Sequence, residues 1–244
     1  MWVAAKYEAT ALFTLKPATA TSSGGRTLPV PTPFAIKMAL LDVACRVMGV
    51  EAAKAEWNWL NVCRVALRPA ARLVVNNTFI KVLRQRRNPA EPGTADGGFF
   101  QRTISYREYA YLDGAFGLAL EVADEAQAVR LLQWLTCLNY LGKRGGFIQL
   151  LEVPTLCEPL DKGYVIVGEP LVGFEMDSLL LQLDDTTERM TFERANIYSG
   201  EKITLGKERV LHHVALPYRL VQSSRGYSFY ELVEGEAGAD GISV

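Results

Sequence analysis

Two stretches with a helical apolar repeat, residues 33–48 and 125–141, each lie between stretches whose apolar residues alternate. That order restricts the fold more than any single motif does. In the first helix Phe34, Met38, Leu41, Cys45 and Met48 form an apolar stripe that Ile36, Leu40, Val43 and Val47 widen. Thr32 is its N-cap, Pro33 its first residue and Gly49 its stop. The second helix opens at Asp124 with Gln127 three residues on, turns Ala128, Leu131, Leu135 and Leu138 inward, and ends at Gly142. Strands are predicted over 2–14, 57–69, 103–122 and 146–153; in the third, Phe116, Leu118, Leu120 and Val122 alternate with Ala115, Gly117 and Ala119. The order β-α-β-β-α-β is that of the ferredoxin-like plait, which RNA-recognition folds use. The predicted class is therefore α+β: a ferredoxin-like (RRM-like) domain over 1–153 and a β-rich region over 154–244. In the latter, 164–170, 188–198 and 207–220 read as strands and 234–244 as a loose tail. A fold of this kind does not by itself assign a function.

Between the second and third strands, VVNNTFIKVLRQRRNPAEPGTADGGFFQR (74–102) has two extended, basic halves around a Pro/Gly/Asp-rich middle. This is the pattern of a long hairpin arm. The formal net charge of the chain is only −1, which disfavours a generic nucleic-acid binder. The charge is segregated, however. Arg64 to Arg107 holds nine basic residues against two acids (Glu91, Asp96), a local +7, and leaves 17 basic and 25 acidic residues, −8, elsewhere. In the arm, Lys81, Arg84, Arg86, Arg87 and Arg102 interleave with Phe79, Phe99 and Phe100, and Arg107 follows. Cations in such a pattern meet phosphates while rings stack on bases. A solvated surface hairpin is the plainer account.

The entrance to the first helix, GGRTLPVPTPFAIKMALLDVA (24–44), offers a second anion site. Gly24 and Gly25 let backbone come close to a ligand, Arg26 supplies a two-pronged donor, and a helix N-terminus favours negative charge. Lys37 lies off the polar flank of Asp42 and Arg46, placed to meet an anion at that end. Alternatively the prolines only stop one element and start the next. The turn LGKRGG (141–146) adds Lys143 and Arg144. It lacks the glycine and the hydroxyl residue of a P-loop, and RGGFIQL lacks the paired aromatics of an RNA-recognition strand. A helix cap with two favourably placed cations is the plainer reading. His212 and His213 are adjacent on a predicted strand and face opposite ways, so they form neither a metal pair nor an acid–base pair. Trp57 and Trp59 share a predicted strand face and belong to the core. Cys45, Cys63, Cys137 and Cys157 show no C-x-x-C spacing, which argues against zinc and fits a reducing cytoplasm. The first ten residues lack the pattern of a signal peptide, and the apolar run 34–50 is broken by Lys37, Asp42 and Arg46. No cofactor, metal or catalytic residue is expected.

In order, RTLPVPTPFAIKMALL after the first strand, SYREYAYLDGAFGLALEV after the arm and NYLGKRGG after the second helix resemble the Cas-five family. These are RAMP-superfamily subunits of type I CRISPR effector complexes (Cascade). The resemblance covers residues 1–153. Gly145-Gly146 stands where that turn often has acidic and proline residues, and residues 154–244 show no resemblance. The resemblance implies a non-catalytic subunit that binds the 5′ handle of the guide crRNA, caps the backbone filament and supports recognition of invading DNA. The arm, about 75–102, would be a thumb inserted at the boundary of handle and spacer. Implied partners are crRNA, Cas-seven backbone subunits, a large effector subunit of Cas-eight or Cas-ten type and, indirectly, target DNA. The implied RNA-facing residues are Gly24, Gly25, Arg26, Lys37, Lys81, Arg84, Arg86, Arg87, Phe99, Phe100, Arg102, Arg107, Lys143 and Arg144. One branch of the family cleaves precursor guide RNA without metal, but no Tyr/Lys/His constellation is assignable here. A metal-independent endoribonuclease is therefore the second reading, and an unrelated ferredoxin-like RNA-binding protein the third.

Overall fold

Val3, Ala5 and Tyr7 of strand β1 (Trp2–Ala9) face the main core, while Trp2 and Ala4 face the opposite side of the sheet. The computed structural model in which this is seen describes residues 1–20, 25–94, 97–142, 145–171 and 177–233. Gly24, Asp96, Lys143, Arg144 and the predicted tail at 234–244 lie outside the described residues.

Helix α1 (Pro33–Met48) starts as predicted, with the Thr32 hydroxyl accepting from the Ala35 amide at 3.2 Å, and stops at Gly49, whose φ is 85°. Its deepest residues are Ile36, Leu40, Val43 and Ala44 rather than the predicted main stripe. Phe34, Met38 and Cys45 are half-buried and, with Leu41, line an open apolar cleft of about 780 Å³.

The strand predicted over 57–69 is not one. Residues Val50–Leu60 form helix α2, and only Val65–Arg68 (β2) is extended. Ala53, Trp57 and Leu60 are buried at helical spacing, and the Ala- and Glu-rich start of the segment outweighs the strand preference of its tryptophans. Trp57 is core, its indole N–H donating to the Met190 carbonyl at 2.7 Å; Trp59, half-buried, stacks on Trp134 with ring centroids 5.5 Å apart.

The arm follows as β3 (Arg72–Ala90) and β4 (Gly98–Asp113). Gly114, φ 95°, then splits the predicted strand 103–122, and β5 (Phe116–Glu121) completes it. Helix α3 (Glu125–Cys137) has a near capping box: Asp124 accepts from the Gln127 amide (2.8 Å), while the Gln127 side chain accepts from the amide one residue before the cap, that of Ala123 (2.9 Å). It ends at Cys137, short of Gly142, and β6 (Ile148–Leu150) is shorter than the predicted 146–153.

The first sheet runs β6-β1-β5-β2 with every neighbour antiparallel, the strand order of the ferredoxin-like plait. Helices α1 and α3 bury its Val3, Tyr7, Leu118 and Leu120 face. The other face is closed by later residues. Strand β7 (Thr155–Cys157) pairs with β1, β8 (Val165–Ile166) pairs with β2, and Leu160 and Tyr164 pack over Trp2, Ala66 and Ala119. The small-residue face read from the sequence exists for this purpose: a Cβ at Gly117 would lie 2.4 Å from the Tyr164 hydroxyl. Burial there pushes the Tyr164 phenol up to about 12.

Strand β9 (Leu179–Thr186) pairs with β10 (Arg209–Leu216), and Leu183, Val214 and Leu216 join the main core. Between them Phe192–Ala195 is a short helix, α4, capped by Thr191, so the strand predicted over 188–198 is also corrected. The predicted strand 207–220 breaks at Pro217 into β10 and β11 (Tyr218–Ser223), because proline cannot donate to a ladder. With β12 (Tyr227–Leu232) it builds a second sheet, β11-β12-β3-β4, around the root of the arm. Among the described residues no helix is long and apolar enough to cross a membrane.

Candidate nucleic-acid interface

The arm is one ladder from Arg72 opposite Asp113 to Gln85 opposite Phe100. β12 flanks it only from Arg72 to Asn76, and beyond that the ribbon is two-stranded. Directly opposite residues share a face, and faces alternate along each strand. At the root, Leu73, Ala110 and Leu112 turn one face into the core. Further out that same face presents Phe79, Lys81, Leu83, Phe100, Arg102, Ile104 and Tyr106 to solvent. Phe79 is 50% exposed, Tyr106 59% and Leu83 67%, an apolar stripe that a lone domain rarely leaves uncovered. Phe79 and Tyr106 meet edge to face, centroids 5.4 Å apart. Arg84 and Arg107 lie on the opposite face, Arg87 and Phe99 are exposed, and Arg86 is half-buried.

Two cations at the start of the basic run, Arg64 and Arg72, are neutralised. Arg64 binds Glu121 through Nη2 at 2.8 Å and also reaches Glu169, and its donors hold the Glu121 carboxyl below the usual carboxylate range. Arg72 pairs with Asp113 at 2.6 Å. Among the described residues of this run, the exposed positive charge without an ion-pair partner is thus carried by Arg68 beside the arm and by Lys81, Arg84, Arg87 and Arg102 within it.

The entrance loop meets the arm. The Gly25 carbonyl accepts from the Glu108 amide (2.6 Å), and the Thr27 amide donates to the Glu108 carboxylate (2.9 Å). Leu15 joins in, its amide donating to the Thr27 hydroxyl (2.9 Å), while Phe13 and Ala110 exchange two 2.8 Å backbone bonds. Gly25 is therefore used for the approach of backbone to backbone rather than to a ligand: a Cβ there would lie 1.9 Å from the Tyr106 carbonyl oxygen. Arg26, next in the chain, is exposed beside the arm's root. A Gly25→Val variant is expected to lose roughly 2 kcal/mol or more in urea unfolding, since β4 must give way. Unchanged unfolding would show that the loop is free to step aside.

Lys37 is a correction. Its ammonium is 1% exposed, pairs with Asp185 at 2.7 Å and donates to the Asn61 carbonyl at 2.9 Å, so it is spent inside the protein. The start of α1 is likewise closed, with Pro29, Pro31 and Pro33 buried and Thr32 satisfying the cap. Pro29 and Pro31 lie buried ahead of the helix and Pro33 opens it.

The LGKRGG turn lies at the same junction. Gly142, φ 71°, packs on Leu15, where a Cβ would sit 2.5 Å from Cδ2, and the Leu141 amide donates to the Gly146 carbonyl at 2.9 Å. The three resembling motifs therefore converge on residues 13–28; Lys143 and Arg144 lie outside the described residues. His213 meets the Gln182 amide nitrogen at 3.0 Å, whereas His212 sits against Gly168. Sequence reading missed Leu83, Ile104 and Tyr106; only the cross-strand register shows that they share the face of Phe79 and Phe100.

No protein-family model matches the chain. A solved CRISPR protein from Archaeoglobus fulgidus is 11% identical, with a TM-score of 0.44 over 95% of this chain and 92% of its own. A chain of a CRISPR RNA-guided surveillance complex is 17% identical, with a TM-score of 0.47 over 88% and 90%. In sequence, residues amounting to 71% of this chain align with 75% of the CRISPR-associated protein Cas5 of Archaeoglobus fulgidus at 23% identity over 178 residues. The chain is a homologue of that Cas5 protein.

Proposed function

We propose that this chain is the Cascade subunit that grips the 5′ handle of the guide RNA, with its arm laid against RNA and the neighbouring backbone subunit. The observation that carries this is the arm's exposed face, where Phe79, Phe100, Leu83, Ile104 and Tyr106 alternate with Lys81 and Arg102. Rings and aliphatic side chains on such a face wedge against bases while the cations meet phosphates. Arg26 extends the contact at the root, and Arg84, Arg87, Phe99 and Arg107 line the ribbon's other surfaces; Lys143 and Arg144 are kept as candidates on sequence alone. Residues 1–153 act as the RNA-binding part, and the described residues of 154–233 close the sheet and brace the arm. A stacking platform on the plait itself, the usual RNA-recognition arrangement, is unavailable because Leu160 and Tyr164 cover that face.

The test is the RNA that co-purifies with the chain from its assembled complex. Guide-length RNAs sharing one 5′ sequence are expected; random cellular RNA would overturn the reading. In the same complex, Arg26→Ala and Arg102→Ala should each lower the slope of log affinity against log salt by about 0.7, the value for one lost phosphate contact to a single strand. An unchanged slope removes that residue from the site.

A further inference from the structure

The second sheet has another face, and it is built as a stacking platform. On the side of the arm's root away from the core, two successive cross-strand rows carry aromatic residues. One row is Phe229–Val74–Tyr111, the next Tyr227–Asn76–Tyr109. In each, the rings stand on the outer strands β12 and β4, with a smaller residue of β3 between them. None of the four rings belongs to the main core or packs against it, whereas on the opposite face Leu73 belongs to it and Val75 and Tyr230 pack against it. Tyr111 is 49% exposed and the other three are half-buried. The rings of a row are anchored about 10 Å apart, and the rows lie about 7 Å apart along the strands. That is twice the about 3.4 Å rise of a stacked nucleic-acid strand, a spacing for bases held apart from one another.

The charge around the platform is one-sided. Beyond the second row come Thr78 and Arg107. Across β3 from them, the β11–β12 turn places exposed Arg225 next to Gly226, whose carbonyl accepts from the Asn77 amide at 2.7 Å. Two arginines thus flank the distal edge. The acids of this face lie on the proximal side in the row Glu231–Arg72–Asp113, where Arg72 pairs with Asp113 and Arg219 stands opposite Glu231. A face with aromatic rows, ring hydroxyls, balanced charge at one end and surplus cation at the other has the complementarity of an unpaired strand whose phosphates run past the distal edge.

We infer that the outward face of the arm's root, Tyr109, Tyr111, Tyr227 and Phe229 with Arg107 and Arg225, is a second single-strand nucleic-acid site that stacks two unpaired bases. It stands apart from the arm's wedge face on the other side of the sheet, and it holds whether or not the arm grips a guide.

The test uses the full-length purified chain and short uridine or thymidine oligonucleotides carrying a photoreactive 4-thio base. Crosslinks are expected on Tyr109, Tyr111, Tyr227 or Phe229, and they should persist in a Lys81→Ala/Arg102→Ala variant, which weakens only the wedge face. Tyr111→Ala/Phe229→Ala should cut oligonucleotide affinity at least about tenfold. Equal binding of the RNA and DNA oligonucleotides assigns stacking alone, and a preference for RNA adds a 2′-hydroxyl contact; both support the site. Crosslinks confined to 79–106, or none in the unmodified chain, overturn it. So does unchanged affinity in the double variant at an unchanged melting temperature. Recovery of a protein crosslinked through these four residues in place of the oligonucleotide makes the face a protein interface and overturns the proposal as well.

Discussion

Lys37→Ala is expected to lose roughly 3–5 kcal/mol of unfolding free energy while the folded variant binds RNA with unchanged affinity. The substitution leaves the Asp185 carboxylate, 14% exposed, without its 2.7 Å partner and takes a donor from the Asn61 carbonyl. Asp185 keeps only local support, from the Thr186 amide and hydroxyl. Lys37→Met/Asp185→Asn should recover much of the loss, because volume is kept and no buried charge is left alone. Urea midpoints at constant m-value measure the loss, and filter binding measures the affinity. A stable Lys37→Ala protein with weakened RNA binding would return Lys37 to the RNA surface.

Removing residues 83–100 and joining 82 to 101 with a short glycine linker should leave the melting temperature within a few degrees of the parent, yet abolish stable incorporation into a guide-RNA complex. Among the described residues the core contains none between Val75 and Ala110, so the deletion removes surface and two-stranded ribbon. The linker spans a short gap, since Val82 and Thr103 are already opposite one another. Thermal unfolding and co-purification with the guide RNA report the two effects separately. A truncated chain that unfolds would make the ribbon part of the core, and one that assembles normally would end the assembly role assigned to the arm.

What could be seen in the sequence was local. The Thr32-Pro33 start, the Asp124–Gln127 box and the alternation of Phe116 to Val122 each depend on residues within a few positions, and each appears as read. Trp57 failed because a strand-favouring residue sat at the end of a helical repeat, Ala53, Trp57, Leu60, that only packing against Met190 completes. Lys37 shows the same limit at the candidate site. Its offset from Asp42 and Arg46 did announce an anion, but the anion is a carboxylate 148 residues away rather than a ligand. The arm's cations were legible from composition. Their distribution over two faces was not, because faces follow from register, and the register here is set by the ladder between β3 and β4.

β3 is a single strand of 19 residues that begins inside the second sheet and ends in the free ribbon. Mechanically it is a cantilever. Its fixed end is bonded on both sides, to β12 through Arg72–Asn76 and to β4 through the ladder that starts at Arg72, and Gly25 and Phe13 clamp β4 at the same level. Its free end has one neighbour, and two-stranded ribbons twist and bend more readily than wider sheets. A load applied near Phe100 therefore flexes the outer ribbon and is carried by the backbone ladder of β12 and the Gly25 crossing, leaving the helices of the plait outside the load path. The tip can follow a curved partner while the direction in which the arm leaves the body stays fixed.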